Sequence, residues 1–263
     1  MDALLIGLAA VWGALAGAVL PRAAYRFSVE LEDVGPEDVG PDDMGPEDTG
    51  DGAGWRRGCP EGHPLRGWLG PARCPGCLGT SPPYGSGALR LSLVTSFLCV
   101  GLALATGIRP ELAVWLLLAP VGVLLAAVDL RVKRLPDPLT LPLAAVALTL
   151  LGVAALLPEH AGDWTTALLG ALALSAGYLV LHLINPGGMG FGDVKLALGA
   201  GAVLGWYGWA TVMLGTFAAF LSGALYGGAL LLARRAGRRT AIPFGPFLIA
   251  GVYAGVLMGA YAA

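Results

Sequence analysis

The 263 residues are 56% hydrophobic and only 13% charged, and the mean hydropathy is +0.71. A chain so poor in charge is not a soluble globule; it reads as an all-α polytopic membrane protein embedded in a lipid bilayer. The formal net charge of −2, with basic residues only in short clusters, gives no reason to expect a nucleic-acid partner.

The first apolar run covers residues 3–20 and is followed by Arg22 and Arg26. Positive charge after the span predicts an amino terminus outside and a cytoplasmic loop over residues 21–89. That loop contains two different segments. Residues 35–49 are three copies of an acidic Gly-Pro pentapeptide, and ten of the eighteen acids lie in the wider stretch 30–52. Such a stretch cannot bury enough apolar surface to offset its ordering entropy, so it is expected to be a disordered spacer. Residues 55–80 carry Cys59 and His63, then Cys74-Pro75-Gly76-Cys77, the spacing of a zinc knuckle. A module this small has little core of its own, so a structural zinc held by Cys59, His63, Cys74 and Cys77 would serve as its staple. Cys99 lies in an apolar run and reads as packing.

From residue 90 to 263 apolar runs alternate with short loops, giving seven more spans, about eight in all, with both termini outside. Of the sixteen Lys and Arg only Arg109 then falls outside the cytoplasm. That distribution predicts a multi-pass protein of the cytoplasmic (inner) membrane. His160 reads as an exposed loop residue and His182 as a satisfied interfacial one.

Three carboxylates stand near the cytoplasmic ends of spans: Asp129, Asp137 and Asp193. A carboxylate at the start or end of an apolar run is expensive and signals function. Two carboxylates held close cannot both ionise, so one can activate water while the other, protonated, assists the carbonyl. Asp129 and Asp193 are expected to form this pair, while Asp137, between Pro136 and Pro138, reads as the cap of the next span. Lys195 reads as an interfacial anchor or a charge partner for the pair. Only thirteen residues run from Val194 to Trp206, too few to cross a full hydrocarbon core, which would put Asp193 below the membrane surface. Gly190 and Gly192, just before Asp193, have no side chain to block a close approach. On the residues alone, the same aspartates suit a peptidase or an ion-coupled transporter.

Gly190-Phe191-Gly192-Asp193-Val194-Lys195-Leu196 resembles the second active-site motif of the type IV prepilin peptidases, the GxGD aspartic membrane proteases. Val128-Asp129, with Leu135-Pro136-Asp137 following, looks like their first motif. Ile242-Pro243-Phe244-Gly245-Pro246-Phe247-Leu248 resembles a further segment near the last span. The resemblance spans roughly residues 90–263 and implies a seven-helix peptidase domain with Asp129 and Asp193 catalytic. It also implies motif roles for Gly190, Gly192, Lys195, Pro136, Asp137, Pro243, Gly245 and Pro246. It implies an aspartic endopeptidase that removes the basic leader of pilin or pseudopilin precursors at the cytoplasmic face, in support of type IV pili or protein secretion. Many of these enzymes also methylate the product with S-adenosylmethionine, and their first loop carries two Cys-x-x-Cys pairs. Here one pair is intact, the other is reduced to Cys59 and His63, and the loop is shortened. The expected product is therefore cleaved and unmethylated.

Overall fold

The computed structural model describes residues 2–29, 55–77, 87–233 and 242–263; the acidic repeat and the basic cluster at 234–239 lie outside these. Eight α-helices are described: α1 (Asp2–Phe27), α2 (Ala88–Thr106), α3 (Glu111–Val132), α4 (Asp137–Ala154), α5 (Trp164–Ile184), α6 (Phe191–Gly205), α7 (Trp209–Leu232) and α8 (Gly245–Ala262). Among the described residues there is no β-strand, only an isolated bridge between Gly58 and Pro64. Seven of the helices are long and apolar enough to cross a membrane. The fold is all-α and polytopic, as the hydropathy required.

The eighth helix is the exception that organises the others. With 15 residues, α6 is about 22 Å long at ~1.5 Å per residue, against ~30 Å of hydrocarbon. It is also the helix with the least exposed surface: nearly every residue from Asp193 to Gly205 is buried. Its glycines and alanines allow this. A Cβ on Gly201 would stand 2.3 Å from the carbonyl oxygen of Gly170, so α5 and α6 pack backbone to backbone. α4 and α8 flank α6 on its other sides, and α7 closes on α8. α1 and α2 form a second tight pair against α3. The backbones of α3 and α6 nowhere approach within 8 Å of each other; α4 and α8 bridge the space between them.

The first helix is longer than the apolar run suggested. It continues through Arg22 and Arg26 to Phe27 because those side chains have partners in the loop. Arg22 donates to the carbonyl of Arg66 at 2.9 Å, and Arg26 donates to Gly67 at 2.8 Å. The Arg26 guanidinium lies 3.9 Å from the centre of the Trp68 ring, on which Phe27 also stacks. The segment 55–77 is thereby docked on the end of α1.

The opposite end of the bundle is tied by polar contacts of its own. Arg109 donates to the carbonyl of Ala260 at 3.0 Å, and the Asp163 N–H donates to Trp206 at 3.0 Å. Asp163 caps α5 by accepting from the Thr166 N–H at 2.9 Å, which holds its carboxyl below the usual range. Glu111 is fully buried in the first turn of α3, where it accepts from the Ala161 N–H at 3.3 Å.

Candidate active site

Asp129 sits inside the last turn of α3, not beyond its end: Lys133 terminates the helix in the left-handed conformation and donates to the Asp129 carbonyl. Asp193 is in the first turn of α6, whose N-cap is Gly190. The two side chains are 3% and 6% exposed, a degree of burial that carboxylates reach only with partners or a task. They lie within electrostatic range of one another.

The third contributor is the start of α8. The Gly245 N–H donates to Asp129 Oδ2 at 2.9 Å. This N–H is one of the orphan donors of a helix start, so a carboxylate is its natural acceptor. Glycine is required there for space: a Cβ would stand 2.7 Å from Oδ2. Gly192 is required for a different reason, because its Cβ would press 2.9 Å from Cβ of Leu135. Leu135, buried in the α3–α4 connection, therefore fits between the starts of α6 and α8. A Cβ on Gly190 would stand 3.5 Å from Asp193 Oδ2, an ordinary contact. Pro136 is the N-cap of α4 in extended conformation, and Pro246 occupies the second position of α8, where its missing N–H leaves nothing unsatisfied. Pro243 precedes α8 in the coil.

Lys195 does not pair with the buried aspartates. Its ammonium lies 2.5 Å from Asp137 Oδ2 in a partly exposed ion pair. Asp137 is the first residue of α4, and its carboxylate makes no cap hydrogen bond; it ties the start of α4 to that of α6. His182 donates through Nδ1 to the carbonyl of Met189 at 2.8 Å, so the end of α5 clasps the loop that leads into Gly190. Sequence reasoning missed Tyr178. This residue is 1% exposed, packed against Phe220 and Phe244, and its hydroxyl has no hydrogen-bond partner among the described residues. The signal available was a tyrosine in the middle of the apolar α5, three residues beyond Ser175.

Cys59, His63, Cys74 and Cys77 come together 55 to 77 residues along the chain, on the docked loop. All four donor atoms lie within 4.8 Å of one another. The turn through Gly62, which has φ +80°, returns the chain so that His63 faces Cys59, and the short helical turn Pro75–Cys77 completes the set. Sγ of Cys59 is 3.7 Å from Sγ of Cys77, and Nδ1 of His63 is 3.3 Å from Cys77 and 3.6 Å from Cys59. A tetrahedral zinc with Zn–S of ~2.3 Å and Zn–N of ~2.0 Å has ligand–ligand edges of about 3.5–3.8 Å. The donor set fits a Cys3His zinc. Burial pushes the Cys59 thiol up, but hydrogen bonding with His63, the Glu61 and His63 backbone and Cys77 outweighs it and brings the thiol down to about 7. Burial and the neighbouring Cys59 and Cys74 push Cys77 up to about 12. Cys99 is fully buried in α2, apart from this cluster.

Residues 115–228, a stretch that contains Asp129 and Asp193, match the type IV leader peptidase family. A prepilin leader peptidase/N-methyltransferase of Aeromonas hydrophila is 36% identical over 210 residues, covering 76% of this chain and 67% of the relative. Its namesake in Burkholderia pseudomallei (strain K96243) is 34% identical over 228 residues, covering 78% and 67%. A further one in Bacillus subtilis (strain 168) is 32% identical over 170 residues, covering 64% of each. No solved structure matches. The similarity gives no support to an ion-coupled transporter. It extends over most of the chain, and the chain belongs to the type IV leader peptidase family.

Proposed function

We propose that this protein is an aspartic endopeptidase of the cytoplasmic membrane that removes the leader of type IV pilin-like precursors, with Asp129 and Asp193 as its acid–base pair. The observation that carries the reading is two buried carboxyls, in the last turn of α3 and the first turn of α6, within electrostatic range of each other, one of them fixed by the N–H of Gly245. Basic residues cluster at this end of the helices (Arg22, Arg26, Arg131, Lys133, Arg134, Lys195), which supports a cytoplasmic orientation.

In this mechanism the pair shares one proton, and the microscopic assignment belongs to the pair. The ionised carboxylate takes a proton from water as its oxygen adds to the scissile carbonyl carbon. The protonated carboxyl donates to the carbonyl oxygen. The gem-diol intermediate then collapses: the C–N bond breaks, the amine leaves with a proton from the pair, a diol hydroxyl returns its proton to the pair as the new C=O forms, and the new carboxyl terminus departs. The pair again holds one proton. Water is admitted because the short α6 leaves Asp193 near an end of the bundle, and burial sharpens every charge interaction there. Pro136, Gly192 and Leu135 set the approach of α4 and α6; Pro243 and Pro246 set the start of α8. Zinc, held by Cys59, His63, Cys74 and Cys77, would supply a structural cross-link to the docked loop and takes no part in these steps.

The test is co-expression with a pilin-like precursor and measurement of the product mass. Asp129→Asn and Asp193→Asn should each abolish cleavage while the protein still accumulates in membranes. Full cleavage by either variant would sink the assignment. The same mass reads the methyl group. The relatives carry N-methyltransferase in their names; the shortened first loop here, with a single Cys-x-x-Cys, supports a cleaved, unmethylated product. A product one methyl heavier, dependent on this protein and S-adenosylmethionine, would reverse that expectation.

A further inference from the structure

Tyr178 is fully buried, and its hydroxyl has no hydrogen-bond partner among the described residues. A phenylalanine would fill the same space with the same ring contacts and leave no orphan. Burying an unpaired hydroxyl costs free energy, and folded interiors leave few of them. The packing sets this one beside the aspartate pair. Three residues earlier, on the same face of α5, Ser175 Oγ donates to the carbonyl of Val194 at 3.0 Å. That face of α5 therefore lies against the turn that carries Asp193. The Tyr178 ring packs at 5.9 Å on Phe244, the residue before Gly245, whose N–H donates to Asp129. Phe220 of α7 packs on the same ring at 5.7 Å. Tyr178 thus touches the start of α8 and lies within electrostatic range of Asp193 at the start of α6.

We infer that Tyr178 is a positioning residue of the acid–base pair, its hydroxyl donating to the Asp193 carboxylate whenever the negative charge of the pair rests there. This role rests on the peptidase reading above and extends the site to α5, a fourth helix. Asp129 takes its direction from a fixed donor, the Gly245 N–H at 2.9 Å. The Asp193 carboxyl is approached by the Gly190 backbone on the loop side. A further donor from α5 keeps that carboxylate from turning about its side-chain bonds and stabilises its charge. Catalytic hydrogen bonds are often long in the free enzyme and tighten in the substrate complex, so a hydroxyl unpaired in the free protein suits this role. A tyrosyl O–H keeps its proton at neutral pH, so it serves as a donor and leaves the proton balance of hydrolysis unchanged. Because the side chain is buried, it acts on the substrate only through Asp193.

The test separates the hydroxyl from the ring. Tyr178→Phe keeps the ring contacts to Phe220 and Phe244 and removes only the O–H; Tyr178→Leu removes the ring as well. Both are purified and assayed on a pilin-like precursor that the wild type cleaves, with kcat, KM and thermal unfolding measured for each. Tyr178→Phe should unfold at or above the wild-type temperature, because it deletes an orphaned group. Its kcat should fall ~10- to 100-fold with KM unchanged, as expected for one hydrogen bond to a charged group. Tyr178→Leu should lose stability as well as turnover, so that phenylalanine restores the fold and not the rate. Wild-type kcat in Tyr178→Phe would overturn the inference and leave Tyr178 as packing. A lower unfolding temperature in that variant would also overturn it, since the hydroxyl would then hold the fold. A raised KM with unchanged kcat would overturn it too, by making the hydroxyl a substrate contact. Failure of the wild type to cleave any such precursor would instead refute the peptidase reading, a distinct outcome.

Discussion

The hydrogen bond from Gly245 to Asp129 joins residues 116 positions apart, and it decides where one carboxyl of the pair points. Asp129 could be found in the sequence because a carboxylate in an apolar run is costly, and Asp193 because two glycines precede it. The role of Gly245 was legible only through the resemblance of its segment to the family, since nothing local tells which carboxylate a helix start will meet. The geometry now gives it a physical content. Gly245→Ala would put a methyl group against Oδ2, 2.7 Å away, and force the carboxylate or the start of α8 to move. A displacement of ~1 Å at a reacting group is worth ~10²-fold in rate. We expect Gly245→Ala to lower kcat by about that factor with little change in KM or in membrane accumulation, as read by steady-state cleavage of the precursor. Lys195 illustrates the reverse case. The sequence placed it two residues from Asp193, but its four-carbon stem carries the ammonium to Asp137.

Helix boundaries were legible where hydropathy alone sets them and were missed where distant polar groups do. α2 and α4 through α8 follow the apolar runs closely, whereas α3 continues a turn past its run to Val132 and so takes in Asp129. α1 outruns its apolar segment because Arg22 and Arg26 donate to carbonyls more than forty residues away, which no local pattern announces. The shortness of α6 was readable, and Asp193 in its first turn is buried. The Lys195–Asp137 pair pins the start of α4 to that of α6, but with the Asp137 side chain 59% exposed it is a weak tie. Such pairs contribute under about 1 kcal/mol. Asp137→Asn should therefore change stability by less than that amount and retain most of the cleavage that Asp129→Asn loses, in the same precursor assay. Glu111 is the stronger tie at the opposite end. Its removal strands the part-buried Ala161 N–H and leaves a cavity where the fully buried Glu111 side chain stood, so Glu111→Ala should destabilise the bundle by about 1–3 kcal/mol in thermal or denaturant unfolding.

At the scale of the whole molecule, the aspartate pair is carried by α3, α6 and α8, whereas the Cys and His residues sit on a loop docked to α1. Zinc would then hold the loop together without touching the pair. The cysteine spacing was readable in the sequence; the completion of the set by Cys59 and His63 depends on the turn at Gly62 and the bridge from Gly58 to Pro64. Metal binding requires the thiols to lose their protons, so affinity must fall as pH falls. Cys59, held at about 7, reaches its thiolate near neutrality, while Cys77, pushed up to about 12, releases its proton to solvent only when the metal displaces it. Purified protein should carry about one zinc per chain, as a single four-ligand set requires. Occupancy at fixed free zinc should drop steeply between about pH 8 and about pH 5, and Cys74→Ser with Cys77→Ser should abolish it at any pH. Loss of the metal should expose residues 55–77 to added protease, because their contacts to Arg22 and Arg26 depend on a folded loop. Cleavage of the precursor should persist in the zinc-free protein, since Asp129 keeps its donor from Gly245. Abolished cleavage with the helices still folded would mean that the docked loop helps to hold the substrate, and the division between staple and catalyst would have to be given up.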